Sequence, residues 1–188
     1  MRFQLIERCG QTLRGLYHKT QFQHISVLDK NCGKILCVMS TRIVVFSDTH
    51  CHTWDEVHPD IRAEVAQADI AVHCGDLVRM DVAEGLRRAA KRSVVVHGNS
   101  DPPDVRSELP YIEILEVEGV RIGVTHPAWG GPEFPPEDLL GDFEEAPDVI
   151  LYGHIHETVN ETIGGVFYLN AGQGYPSFMV AATIAVLT

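Results

Sequence analysis

The sequence predicts an α/β domain built from two sheets that pack face to face with helices outside. Strand and helix alternate from Ile43 to Val96, hairpins dominate from Tyr111 onward, and 188 residues suffice for one substantial core but not for two. Alternation of that kind demands parallel strands joined by right-handed crossovers. Hairpins add antiparallel pairs, so each half of the chain supplies its own sheet.

The first 38 residues stand apart. They mix Gln, His, Lys, Cys and Gly with scattered apolar residues, and neither strand nor helix periodicity persists. Met39 opens a clean start. Residues 1–38 are therefore read as an N-terminal extension, either a disordered or mis-called start upstream of the true initiator or a genuine packed arm, with the domain running over 39–188.

From Arg42 the pattern is regular. Ile43 to Phe46, Ile70 to His73 and Ser93 to Val96 are short apolar runs rich in β-branched residues, suited to buried strands. Between them, Asp60 to Ala68 places Ile61, Val65 and Ala68 on one helical face, and Val78 to Ala90 does the same with Val82, Leu86 and Ala89. Tyr111 to Val117, the turn Glu118-Gly119, and Val120 to Thr125 read as a hairpin. A Pro- and Gly-rich stretch, Pro127 to Pro136, leads into a short helical segment near Glu137 to Phe143. Asp148 to Leu151 is a buried strand, Gly164-Gly165 marks a second hairpin, and Phe178 to Leu187 is a last apolar strand.

Charge narrows the function classes. The chain carries 15 Lys+Arg against 26 Asp+Glu, a formal charge of -11, and six of those cations lie before residue 39, so the body is strongly acidic. That argues against duplex nucleic-acid binding, which rests on phosphate neutralisation by Lys and Arg. Bound divalent cations would offset part of the excess. Five cysteines without a C-x-x-C pair indicate neither a disulfide framework nor a zinc ribbon, and point to a reducing cytoplasm. No apolar run approaches the roughly 20 residues a membrane span needs.

Chemistry-bearing residues cluster where strands end. Asp48-Thr49-His50, Gly75-Asp76, Gly98-Asn99, Thr125-His126 and Gly153-His154-Ile155-His156 each follow an apolar run. Ligands of parallel sheets collect at such carboxyl ends. In a looped backbone the side chains of His154 and His156 project to the same side and can serve one site. Singly, Asp, Asn and His are ordinary turn formers. Jointly, Asp48, His50, Asp76, Asn99, His126, His154 and His156 offer seven N and O donors, enough for two metal ions if one carboxylate bridges. Two divalent ions, offset by two aspartates and a bridging hydroxide, leave a net positive site that attracts a phosphate ester. Metals about 3.5 to 4 Å apart lower the pKa of a bridging water, aim it at phosphorus and stabilise the leaving oxygen. Mixed imidazole and carboxylate ligation suits Mn, Fe, Ni, Co or Zn better than Ca. Mn²⁺ is the first expectation, with Mg also admitted.

The ordered run Asp-x-His, Gly-Asp, Gly-Asn-x-Asp, Thr-His and Gly-His-x-His resembles the calcineurin-like metallophosphoesterase superfamily, in particular its small single-domain phosphodiesterase branch in bacteria and archaea. The resemblance covers Met39 to Thr188 and implies a four-layer α-β-β-α sandwich. It implies Asp48, His50 and His156 on one metal, Asn99, His126 and His154 on the other, and Asp76 bridging. Asp76, Asn99 and His126 are accordingly the expected catalytic residues. Many relatives carry a His after the motif Asn, where Ser100 stands here; losing a general acid costs roughly 10² to 10⁴ in rate for a poor leaving group. His126 is followed by Pro127, which confines it to extended backbone. Asn170-Ala171-Gly172-Gln173 resembles an Asn-Pro-Gly-Ser turn with Pro and Ser lost, and its side chains are assigned no role.

The expected function is a metal-dependent phosphoesterase, a phosphodiesterase rather than a monoesterase, acting on a small phosphoester through a metal-bridging hydroxide. A symmetric homodimer is the expected assembly. The alternative is a non-catalytic interaction module like the retromer subunit of this fold. Other conspicuous residues receive structural readings. Asp101 fixes the turn at Gly98, His52 faces solvent, His73 and His97 support the site from behind, Trp129 and Phe134 pack under their loop, and Cys51 is a bystander thiol.

Overall fold

Four-residue runs such as Ile43–Phe46 carry apolar side chains on both faces, so they are stable only where both faces are covered. The computed structural model, which describes residues 3–8, 41–127, 134–177 and 180–188, covers them with helices on one side and a second sheet on the other. The strands are β1 (Phe3–Arg8), β2 (Ile43–Phe46), β3 (Ile70–Cys74), β4 (Ser93–Val96), β5 (Ile112–Val117), β6 (Val120–Thr125), β7 (Val149–Tyr152), β8 (Thr158–Ile163), β9 (Val166–Ala171) and β10 (Ala182–Leu187). The helices are α1 (Pro59–Val65), α2 (Met80–Ala89) and α3 (Pro103–Glu108), with 3₁₀ turns at Trp54–Glu56 and Pro136–Asp142.

The first sheet has the order β1-β10-β2-β3-β4 and the second β5-β6-β7-β9-β8. Pairs β2–β3 and β3–β4 are parallel, as strands linked by helical crossovers must be. The second half is less uniformly antiparallel than its hairpins suggest. β5–β6 and β8–β9 are antiparallel, yet β7 lies parallel to both β6 and β9. The long connection from β6 to β7 lets the chain return in the same direction, and β8 turns it round before β9. Both sheets are therefore mixed. β10 returns to the first sheet, antiparallel to both β1 and β2. Within residues 1–38, only Phe3–Arg8 is described, and it forms that sheet's edge.

Three apolar layers hold the stack together. Ile43, Val72 and Val96 from the first sheet meet Leu115, Ile122 and Leu151 from the second. Phe46, Ala71 and Val95 face the helices, where Ile61 and Val65 of α1 and Val82, Ala83 and Leu86 of α2 recur at helical spacing. Each large side chain buried this way contributes about 1.5–3 kcal/mol. On the outer face of the second sheet, Ile150, Tyr152 and Tyr168 are capped by Leu139 of the 3₁₀ turn Pro136–Asp142. The fourth layer is thus the seven-residue 3₁₀ helix Pro136–Asp142, close to the short helical segment expected near Glu137 to Phe143. Among the described residues, no helix is long and apolar enough to cross a membrane.

Candidate metal centre

Five strands deliver the site. Asp48 and His50 follow β2, Asp76 follows β3, Asn99 follows β4, His126 ends β6, and His154 and His156 follow β7. All five strands run the same way within their sheets, so their carboxyl ends share one rim.

The backbone there bends sharply. Asp48 (φ 53°), His50 (47°), Asp76 (59°), His154 (86°) and His156 (57°) all occupy the left-handed region, which non-glycine residues rarely enter. Neighbouring hydrogen bonds hold them in it. Asp48 N–H donates to Gly75 O at 3.0 Å, His50 N–H to Asp76 O at 3.1 Å, and His154 N–H to the Asp48 carboxylate at 3.1 Å. Three glycines make room. A Cβ on Gly98 would lie 2.2 Å from Asp76 Oδ1, one on Gly75 2.6 Å from His126 Nδ1, and one on Gly153 2.5 Å from Cys74 O. The glycines before Asp76, Asn99 and His154 are therefore steric requirements of the site.

All seven residues singled out from the sequence converge. The donor atoms of Asp48, His50 and His156 lie within 4.8 Å of one another, as do those of Asp48, Asp76 and His126. His156 Nε2 is 3.3 Å from Asp48 Oδ1 and 3.4 Å from His50 Nε2. Asn99 Oδ1 sits 3.0 Å from His126 Nε2 and 2.8 Å from His154 Nδ1. Asp76 lies between the groups, with Oδ1 3.5 Å from His126 Nε2 and Oδ2 3.8 Å from His50 Nε2. Asp48, Asp76 and His126 are almost wholly buried.

These donors fit a cation. His126 Nδ1–H donates to Cys74 O at 2.7 Å, which leaves Nε2 with a lone pair aimed at another acceptor, Asn99 Oδ1. A positive ion relieves that opposition. His154 Nε2 is buried without a hydrogen-bond partner, and two carboxylates lie among four imidazoles. Burial would raise the Asp48 carboxyl, but the hydrogen bonds with His156 and Ser47 carry it below the usual range. Its partner His156 is correspondingly pushed up by the Asp48 hydrogen bond against the opposing effect of burial. His154 is pulled down chiefly by burial.

Supporting residues divide into expected and unexpected. Asp101 accepts from Gly98 N–H at 2.7 Å, Asp76 N–H at 3.1 Å and Val78 N–H at 2.6 Å, which ties the ends of β3 and β4 together. Cys51 donates to Thr49 O at 3.2 Å, and burial followed by Glu56 pushes its thiol up, away from reactivity. His52 is exposed, with its N–H on Glu56 at 2.7 Å. His73 is buried and its Nε2 meets Thr49 Oγ1 at 3.0 Å rather than a ligand; the His97 ring lies against Tyr111. Phe134 packs beside Tyr152, and Trp129 lies outside the described residues.

Sequence reasoning passed over three contributors. Asn170, buried, donates through Nδ2 to Gly153 O at 3.0 Å and accepts from Gly172 N–H at 2.9 Å, so its side chain does have a role: it sets the loop that carries His154 and His156. Tyr175 places its ring edgewise 5.5 Å from His50 and 6.0 Å from His156. Ser100 contacts Asp76 twice. The retained Asn of the degenerate Asn-Ala-Gly-Gln turn was a signal for the first and the place after the motif Asn was one for Ser100; nothing local marked Tyr175. A groove of about 530 Å³ is lined by Phe134, Tyr152, Ile155 and Val159, and by none of the seven donors.

Comparison with known proteins agrees with this geometry. A family model described as the calcineurin-like phosphoesterase superfamily domain matches residues 41–188. A probable metallophosphoesterase of Methanocaldococcus jannaschii is 34% identical over 137 residues, spanning 70% of this chain and 67% of that protein. A phosphodiesterase of the same organism is 25% identical over 148 residues, spanning 70% of this chain and 83% of its own length. The solution structure of a Thermotoga maritima protein superposes with a TM-score of 0.59 at 33% identity, covering 76% of this chain and 96% of that one.

Proposed function

Because the chain belongs to the calcineurin-like phosphoesterase superfamily, we propose that it hydrolyses a small phosphodiester with two divalent metal ions held by the seven converging donors. Asp48, His50 and His156 would hold one ion and Asn99, His126 and His154 the other, with Asp76 between them. Mn²⁺ suits this mixture of imidazole and carboxylate. When bound, the ions supply an activated water and neutralise charge developing on the phosphoryl oxygens.

The observation that carries this reading is the placement of Asp76, one oxygen 3.5 Å from His126 and the other 3.8 Å from His50. The remaining residues hold that arrangement. Cys74 O fixes the His126 tautomer, Asp48 orients both His156 and the His154 backbone, and Asn99 faces His126 and His154 together. Ser100 stands where many relatives carry a proton-donating His. That favours esters whose leaving group departs without a proton, and the archaeal phosphodiesterase relative supports a diester over a monoester.

Purified protein assayed with bis-p-nitrophenyl phosphate tests the proposal directly. Turnover should require added Mn²⁺ and vanish with EDTA. Absence of metal-dependent turnover, together with less than one bound metal per chain, overturns it in favour of an interaction module.

A further inference from the structure

Asp76 must face both halves of the centre, and the residue gripping it is Ser100. Ser100 N–H donates to Asp76 Oδ1 at 2.8 Å and its hydroxyl donates to Oδ2 at 2.8 Å. An ionised carboxylate has about four lone-pair sites. Ser100 takes one on each oxygen, and one on each oxygen remains. The free pair of Oδ1 is on the His126 side and that of Oδ2 on the His50 side. A carboxylate free to rotate about its last torsion could present either oxygen, or neither, to a given half, since that torsion is broad. Two donors on one residue, its backbone N–H and its hydroxyl, remove the freedom.

The same hydroxyl reaches the other half of the site. Asn99 Nδ2 lies 3.5 Å from Ser100 Oγ, which turns the opposite end of that amide, Oδ1, toward His126 and His154. One oxygen atom thus orients two ligands on separate strand ends. Its own proton is directed at Asp76, so it is not on offer to a leaving group.

We infer that Ser100 is a positioning residue whose hydroxyl locks the Asp76 carboxylate with one oxygen toward each metal ion and aligns the Asn99 carbonyl. The inference rests on the dinuclear reading given above. Outer partners of metal ligands typically govern affinity by about 10- to 100-fold. Removing Oγ should weaken the second ion bound by that factor, because the second ion depends on the bridge, while the first keeps a complete set of other donors.

The test is a Mn²⁺ titration of the full EDTA-stripped chain, read by calorimetry and by electron paramagnetic resonance. Wild type should bind two ions with an exchange-coupled signal. Ser100→Ala should bind the first ion as wild type does, bind the second about 10- to 100-fold more weakly, and lose the coupled signal for that of isolated Mn²⁺. Ser100→Thr, which keeps the hydroxyl, should restore both. Ser100→Gly replaces Ala if that variant does not fold. A hydroxyl-free variant with wild-type affinities and an unchanged coupled signal overturns the role of Ser100 alone. Wild type that binds fewer than two ions overturns the dinuclear centre and the inference together, so the two failures are distinct.

Discussion

The strand-end glycines lie so close to the ligands that no Cβ can be added to them. Gly98 illustrates this, since a methyl there would stand 2.2 Å from Asp76 Oδ1 and 2.8 Å from His126 Cδ2. Gly98→Ala must therefore push Asp76 or His126 aside. It should lower bound Mn²⁺ below two per chain and cost about 1–3 kcal/mol in stability, as overpacking does. Gly119, in the β5–β6 turn, is the control. It has φ +79° and open space around its α-carbon, so Gly119→Ala should cost about 1 kcal/mol from backbone strain alone and leave metal content unchanged. Metal analysis and urea unfolding of both variants check the pair, and equal metal loss in the two would contradict the steric account. The ligands themselves were legible because their residue types are rare in such an order. Tyr175 was not, since a half-buried aromatic beside two histidines is a fact of three dimensions with no signature in spacing.

At the scale of elements, the problem is to hold separate strand ends in register once their ladders stop. Asp101 does this for β3 and β4 by accepting three backbone N–H groups, and Arg106 of α3 donates to the carbonyl oxygens of Asp101 and Asn99. Asp101→Ala leaves those three donors without their acceptor in a buried setting. At about 1 kcal/mol or more for each, the loss should reach roughly 3 kcal/mol in urea unfolding and carry weakened Mn²⁺ binding with it. A variant as stable as wild type would show that the three bonds carry no net stability. Helix α3 also shows where periodicity runs out. Six residues with only Val105 buried present no apolar face to read, although Pro103 at its first position suits a helix start. The strands from β2 onward were readable as segments, but β1 and the parallel pairing of β7 with β6 and β9 were not. Hairpin turns fix only the pair they join, and longer connections leave direction to tertiary packing.

For the molecule as a whole, burial of a titratable group inside the stack ties stability to pH. His73 of β3 is fully buried, with its ring 4.8 Å from Phe46, Nε2 on Thr49 Oγ1 and Nδ1 without a partner. Burial pulls its pKa down to about 3, against about 6.5 for an exposed histidine. Between those values the unfolded chain holds a proton that the folded chain refuses. Stability is therefore complete above about pH 6.5 and falls as pH drops, by about 1.4 kcal/mol per unit from this residue. Asp48, held below its usual range, adds a loss of the same sign at lower pH, and His156, pushed up, opposes it. Both are common to wild type and a His73→Leu variant, so the difference between the two isolates His73. Urea midpoints in EDTA at pH 7.5 and pH 5.0 should show wild type losing about 2 kcal/mol more than His73→Leu on acidification. Parallel losses would mean that His73 is protonated in the folded state. The buried imidazole would then have to be stabilised by a nearby negative charge, and the Asp48 carboxylate, which acts to raise its pKa, supplies one.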